Sequence, residues 1–180
     1  MPEFRQVSEV EVFKGWMYSV GEAHFEDPSG GEFQRFVIRH PGAVVVVPVH
    51  DDGQVTLVRQ YRGAVDQMVL EAPAGTCDVS GEPPEETAHR ELIEEAGLQA
   101  ASMEFLMGTY NTPGVSDQLS RIFLATGLTP VPKNPAGVEE HYMTVETIAL
   151  DSFEDLVADG TLVDETTVLG LYLARAHLAK

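Results

Sequence analysis

The sequence predicts an α+β fold, and three observations carry that expectation. The first sixty residues consist of β-branched or alternating runs separated by Gly, Pro and Asp clusters. A single amphipathic stretch follows near residue 90, opened by prolines and stopped by a glycine. More strand-like runs then lead to two closing helices.

In chain order, strands are expected at 9–13, 16–24, 32–40, 43–50 and 54–61. The run 43–49 is almost wholly apolar and reads as a strand buried on both faces. Asp51-Asp52-Gly53 is a hairpin signal, because Asp-Gly accepts the positive φ of a tight turn. Pro41-Gly42 and Asp27-Pro28-Ser29-Gly30-Gly31 mark earlier turns. The helix is expected over 84–96, with Gly97 as its stop. Strands at 103–110, 120–128 and 143–149 come next, then a short helix at 153–158 and a longer one at 165–179. Val168, Leu169, Leu171, Tyr172 and Leu173 give that last helix a docking face. Residues 1–40 form an expected N-terminal strand region serving as a dimerisation arm, and 41–180 the main domain.

Composition narrows the function classes. The chain has 180 residues, enough for one domain with a sizeable core. Eleven basic residues stand against 29 acidic ones, a net charge of −18 that argues against nucleic acid as a partner. No run approaches the length of a membrane span, and no secretion leader is visible. The one cysteine, Cys77, excludes an internal disulfide framework and suits a cytoplasmic protein. An acidic protein still takes an anionic substrate where bound cations invert the local field. The question is whether some carboxylates converge.

They do on the central helix. At about 100° per residue, Glu95 falls roughly 40° from Glu91 and Glu94 roughly 60° to the other side, with Arg90 beside Glu94. Leu92, Ile93 and Ala96 take the opposite, packing face. Like charges at i,i+4 destabilise a helix by a few tenths of a kcal/mol, a cost that a cation removes. Mg²⁺ prefers oxygen ligands, keeps several waters and accepts substrate phosphates, so two or three carboxylates suit it. A solvated acidic surface is the other reading of the same face.

The segment running from Gly75 through Glu82 to Arg90-Glu91-Leu92-Ile93-Glu94-Glu95-Ala96-Gly97-Leu98 resembles the Nudix box, G-x5-E-x7-R-E-U-x-E-E-x-G-U with U apolar. Every position from Glu82 onward matches; one extra residue lies between Gly75 and Glu82. Gln60-Tyr61-Arg62 and Leu70-Glu71-Ala72-Pro73-Ala74-Gly75 are similar to the ADP-ribose pyrophosphatase branch, as is Pro113, placed 16 residues beyond Gly97.

The resemblance implies a Nudix α/β/α sandwich with a mixed sheet and a small N-terminal antiparallel sheet. It implies Glu91, Glu95 and Glu94 as ligands of Mg²⁺ or Mn²⁺, with the carbonyl of Ala74 as a further one. Arg90 would hold a carboxylate in place, and Glu82 precedes the helix where an acid also favours the dipole. A general base is implied on a loop before a late strand, where Glu139-Glu140-His141 stands; Glu140 is preferred, with Glu139 next. Arg62 is implied to meet a phosphate and Glu71 a ribose hydroxyl, although the two would equally make a structural pair. Pro113 is a further substrate contact. Trp16, Phe25 and Phe36 are candidates to stack on a base, each equally suited to a core. His40, His50 and Cys77 receive no chemistry.

The expected activity is hydrolysis of ADP-ribose to AMP and ribose 5-phosphate by a homodimer. Another nucleotide sugar or dinucleotide is the alternative substrate within the same small-molecule class. A non-catalytic nucleotide-sugar sensor is disfavoured, because the box keeps its acids and the chain is too acidic for DNA.

Overall fold

The computed structural model describes residues 3–134 and 139–180, the side chain of Glu139 excepted. The chain divides into two compact units, Met1–Gly42 with Tyr110–Leu119, and Ala43–Thr109 with Ser120–Lys180.

The first unit is an antiparallel sheet of β1 (Arg5–Lys14), β2 (Ser19–Glu26) and β3 (Glu32–Arg39), in that order. β2 begins later than the sequence pattern suggests, because a turn closed by Gly15 N–H on the Tyr18 carbonyl at 2.9 Å removes Trp16 from the strand. At the next turn Asp27 accepts backbone N–H bonds from Ser29 and Gly31, and Gly30 takes φ 87°. The segment 111–118 joins this unit through Ile38 N–H on the Val115 carbonyl at 2.8 Å, and through Arg39, which pairs with Glu9 and Asp117.

The second unit begins with β4 (Ala43–Pro48), β5 (Gln54–Arg62), β6 (Gln67–Glu71) and β7 (Ala74–Thr76). Then come α1 (Pro84–Glu91), β8 (Leu98–Tyr110), β9 (Leu119–Pro130), β10 (Thr144–Ala149), α2 (Phe153–Ala158) and α3 (Glu165–Leu178). A mixed sheet runs β7-β4-β9-β8, with β4 parallel to β9 and antiparallel to β7. An antiparallel sheet runs β10-β5-β6.

The valine run of β4 is explained by burial on both faces. Val44 and Val46 join Ala88, Leu92, Ala96 and Phe123 in a core under α1. Val45 and Val47 join Leu57, Ile122, Leu124, Phe153 and Leu171 in a second core that includes α3. Each fully buried side chain of this size contributes about 1.5–3 kcal/mol relative to exposure.

Three expectations are corrected. The turn at Asp51–Gly53 forms, with Gly53 at φ 78°, but its arms share only the bridge Val49–Val55 before β4 and β5 enter different sheets. β6 and β7 are strands that the pattern did not reveal, since Pro73 interrupts them and neither is longer than five residues. The central helix is α-helical only to Glu91; Leu92–Ala96 form a π turn, an i→i+5 bulge of the kind that often marks functional sites. Gly97 then closes it at φ 66°, in the left-handed region. Among the described residues no helix is long and apolar enough to cross a membrane.

Candidate active site

The second unit gathers the acidic residues. α1 starts at Pro84 after the extended Pro83, carries Glu85 and Glu86 in its first turn, and packs by Ala88 and Leu92. That packing turns Glu91 and Glu95 inward. Glu91 is 7% exposed and Glu95 4%, so the alternative reading of this face as a solvated acidic surface does not hold for either. Glu94 is half-buried.

Arg90 organises the group. Its Nη1 donates to Glu91 at 2.7 Å and to Glu94 at 3.1 Å, while Nε and Nη2 reach Glu82 at 3.4 and 3.3 Å. Glu82 is therefore more than a helix-dipole acid. The hydroxyl of Thr87 donates to it at 2.7 Å, and that bond, with Arg90 second, holds its carboxyl below the usual range. The sequence reasoning missed Thr87, which lies five residues after Glu82 and has no mark in the box.

Glu95 accepts from the backbone N–H of Ala74 at 2.9 Å, joining β7 to the π turn. Burial pushes the Glu95 carboxyl up to about 8 against that hydrogen bond, and the charges of Glu91 and Glu140 add to the rise. Glu91 is pushed up to about 7, again chiefly by burial, opposed by Arg90 and reinforced by Glu94 and Glu140. Glu140 itself is half-buried on a 3₁₀ turn, Glu139–Tyr142, near enough to raise both acids. The Glu139 side chain lies outside the described residues.

Gly75 is required by proximity. A Cβ built there would strike the carboxyl and Cγ of Glu91. Gly75→Ala is therefore expected to destabilise the fold by about 1–3 kcal/mol, the usual range for overpacking. A thermal melt of the variant against the parent checks this, and an unchanged melting temperature would refute the close fit. The extra residue between Gly75 and Glu82 is absorbed in the loop 77–83, outside α1.

Arg62 and Glu71 form the structural pair that the sequence left open. Arg62 Nε donates to Glu71 Oε1 at 2.9 Å and Nη2 to Oε2 at 2.6 Å, a bidentate contact. Burial raises the Glu71 carboxyl against the pull of Arg62. Burial also works against the guanidinium, yet Glu71, Glu95 and Asp164 hold its pKa above the ordinary value. Asp164 caps α3 by accepting from Thr167 N–H at 2.7 Å, and the Thr167 hydroxyl in turn accepts from Ala72 N–H at 2.8 Å. The β6–β7 connection is thus tied to α3.

Pro113 belongs to the other unit. There it lines a cavity of about 510 Å³ with Phe4, Phe25, Phe33, Arg35 and Tyr110. Phe25 stacks on Phe33 at 5.2 Å between centroids, whereas Trp16 is 87% exposed and Phe36 is exposed as well. His40 Nδ1 accepts from Gly42 N–H, and His50 bonds to Thr56, so both have local structural partners. Cys77 is a half-buried free thiol, raised by burial, packed against the core under α1.

Among the described residues no group of three Asp, Glu, His or Cys side chains is arranged to hold a metal ion, and Arg90 engages the oxygens of Glu91 and Glu94. The donor set is nonetheless all oxygen and hard, and its buried acids resist ionising with only Arg90 beside Glu91 and Glu94. A divalent cation would supply the compensation they lack.

Known proteins resemble this chain over most of its length. A NUDIX domain family model matches residues 39–162. An ADP-ribose pyrophosphatase of Mycobacterium tuberculosis (strain ATCC 25618 / H37Rv) is 36% identical over 174 residues, 97% of this chain and 84% of the relative. An ADP-ribose pyrophosphatase of Bacillus subtilis (strain 168) is 30% identical over 169 residues, 94% of this chain and 91% of the relative. A crystal structure of an ADP compounds hydrolase superposes with a TM-score of 0.83 at 25% identity, covering 98% of this chain and 95% of that one. With the box, the sandwich and the matched length in agreement, the chain belongs to the Nudix family.

Proposed function

We propose that this protein hydrolyses the pyrophosphate bond of ADP-ribose, giving AMP and ribose 5-phosphate, with Mg²⁺ or Mn²⁺ as the metal. The observation that carries the reading is the convergence of Glu91, Glu95 and Glu140 within one field, beside an Arg62 already oriented by Glu71. The naming of two full-length relatives as ADP-ribose pyrophosphatases supports the substrate.

Glu91, Glu94 and Glu95 would hold the metal, with the Ala74 carbonyl as a further ligand. Divalent ions at such a site lower the pKa of a bound water and spread the charge that develops on the diphosphate. Arg62 meets a phosphate oxygen by charge-assisted hydrogen bonds. Glu71 fixes the direction of that guanidinium and accepts from a ribose hydroxyl with a remaining lone pair. Glu140 takes the proton of the attacking water as a new O–P bond forms and the bridging oxygen leaves with the other product. Arg90 holds Glu91 and Glu94 and keeps their mutual repulsion low. Pro113 is proposed as a further substrate contact.

The protein acts as a homodimer in the cytoplasm on this reading. All ten residues of β1 are exposed, including Val7, Val10, Val12 and Phe13, which leaves an apolar surface for a second copy. A substrate panel tests the activity: ADP-ribose, other nucleotide sugars, NADH, diadenosine polyphosphates and dNTPs, each with Mg²⁺ or Mn²⁺. AMP and ribose 5-phosphate in equal amounts from ADP-ribose, at the highest kcat/KM of the panel, is the expected result. Faster turnover of another nucleotide sugar would move the substrate, and silence across the panel would end the hydrolase reading.

A further inference from the structure

One buried polar atom has no role in the account so far. Gln60 is 4% exposed, and among the described residues its Nε2 is the one buried side-chain nitrogen or oxygen without a hydrogen-bond partner. An unmet buried donor is costly, and a native fold rarely retains one without use. Its place in the sheet says what the use is. Side chains alternate along a strand, so Val58, Gln60 and Arg62 share one face of β5, with Val69 and Glu71 opposite Gln60 and Val58 on β6. On the other flank β10 pairs Thr144 with Arg59, which carries Met143 and the 3₁₀ turn Glu139–Tyr142 alongside Gln60. β5 packs against that turn and against the π turn bearing Glu95. The Gln60 amide thus stands on the strand that touches both the metal-side acids and Glu140.

We infer that Gln60 is a positioning residue for the reaction: its amide N–H is the donor that receives the Glu140 carboxylate when substrate fills the site. The inference rests on Glu140 as the base. Hydrogen bonds of catalytic groups commonly tighten only in the substrate complex, the state in which this amide is inferred to meet the carboxylate. An amide suits the task because it orients a carboxylate without placing another charge among the acids.

The test is a double-mutant cycle on the full chain with Mg²⁺ and ADP-ribose, using Gln60→Met and Glu140→Gln. Gln60→Met keeps the side-chain length and deletes the donor. It is expected to lower kcat about tenfold or more, to leave KM within about threefold, and to melt in EDTA at the same or a higher temperature. In the Glu140→Gln background the same change is expected to cost nothing further, because the two residues act as a unit. An unchanged kcat in Gln60→Met, additive losses, a rise in KM alone, or a lowered melting temperature that accounts for the lost activity would each overturn the inference. If Glu140→Gln alone retains full turnover, the assignment of the base fails instead, and the inference falls with it.

Discussion

Replacing Glu95 with glutamine is expected to cut Mg²⁺-supported turnover by about 10³-fold, since the metal's share of transition-state stabilisation is several kcal/mol and each 1.36 kcal/mol is tenfold. The fold should survive. Glutamine retains an oxygen to accept from Ala74 N–H, the 2.9 Å contact that fastens β7 to the π turn. It also removes a carboxyl that burial holds at about 8, so above that pH the variant no longer buries an ionised group. The expected signature is therefore split: activity lost, melting temperature in EDTA at pH 9 equal to or above that of the parent. Turnover within tenfold of the parent would remove Glu95 from the metal site. A large fall in melting temperature would show that its charge supports the fold.

The second large effect is a reversed pH dependence of stability in the metal-free protein. Glu91 and Glu95 have folded-state values of about 7 and about 8, against 4.5 for an ordinary glutamate. Between those limits the folded chain binds more protons than the unfolded chain, so the slope of unfolding free energy with pH is negative. The contribution is fully present below about pH 4.5 and is lost as pH rises through 7 and 8. With each pKa unit equivalent to about 1.4 kcal/mol, the two sites together set the loss at up to about 8 kcal/mol. Urea titrations in EDTA from pH 5 to pH 9 should show it. Adding Mg²⁺ should restore stability more at pH 8.5 than at pH 5.5, because the cation competes with protons for the same oxygens. A flat profile, or equal rescue at both pH values, would mean that these carboxyls do not bind the cation.

Much of this was legible in the chain, and what was not has identifiable physical causes. The valine run of β4, the caps of the central helix and the order of strands follow from local pattern, because burial on both faces and glycine stops leave direct marks on residue type. The inward position of Glu95 does not. A helical wheel assumes about 100° per residue, whereas the π turn over Leu92–Ala96 carries five residues in a wider i→i+5 loop and so rotates the last two acids away from their ideal bearings. β6 was hidden because five residues are too few to show a period, and β7 because it is shorter still and its partner, β4, is distant in sequence. The Arg62–Glu71 pair is a cross-strand relation that spacing alone leaves open. Gln60 stood in the sequence only as part of Gln60-Tyr61-Arg62, with no role of its own until its burial without a partner set it apart.

The outermost ribbon, β1, has a consequence for self-association. It lies at the margin of its sheet with hydrophobic groups uncovered, the arrangement that ordinarily invites runaway stacking of chains into fibrils. Glu9, Glu11 and Lys14 interrupt that ribbon, and Arg5 guards its start. Charges spaced along an uncovered edge in this way oppose the unlimited strand-on-strand addition that an unbroken apolar edge invites.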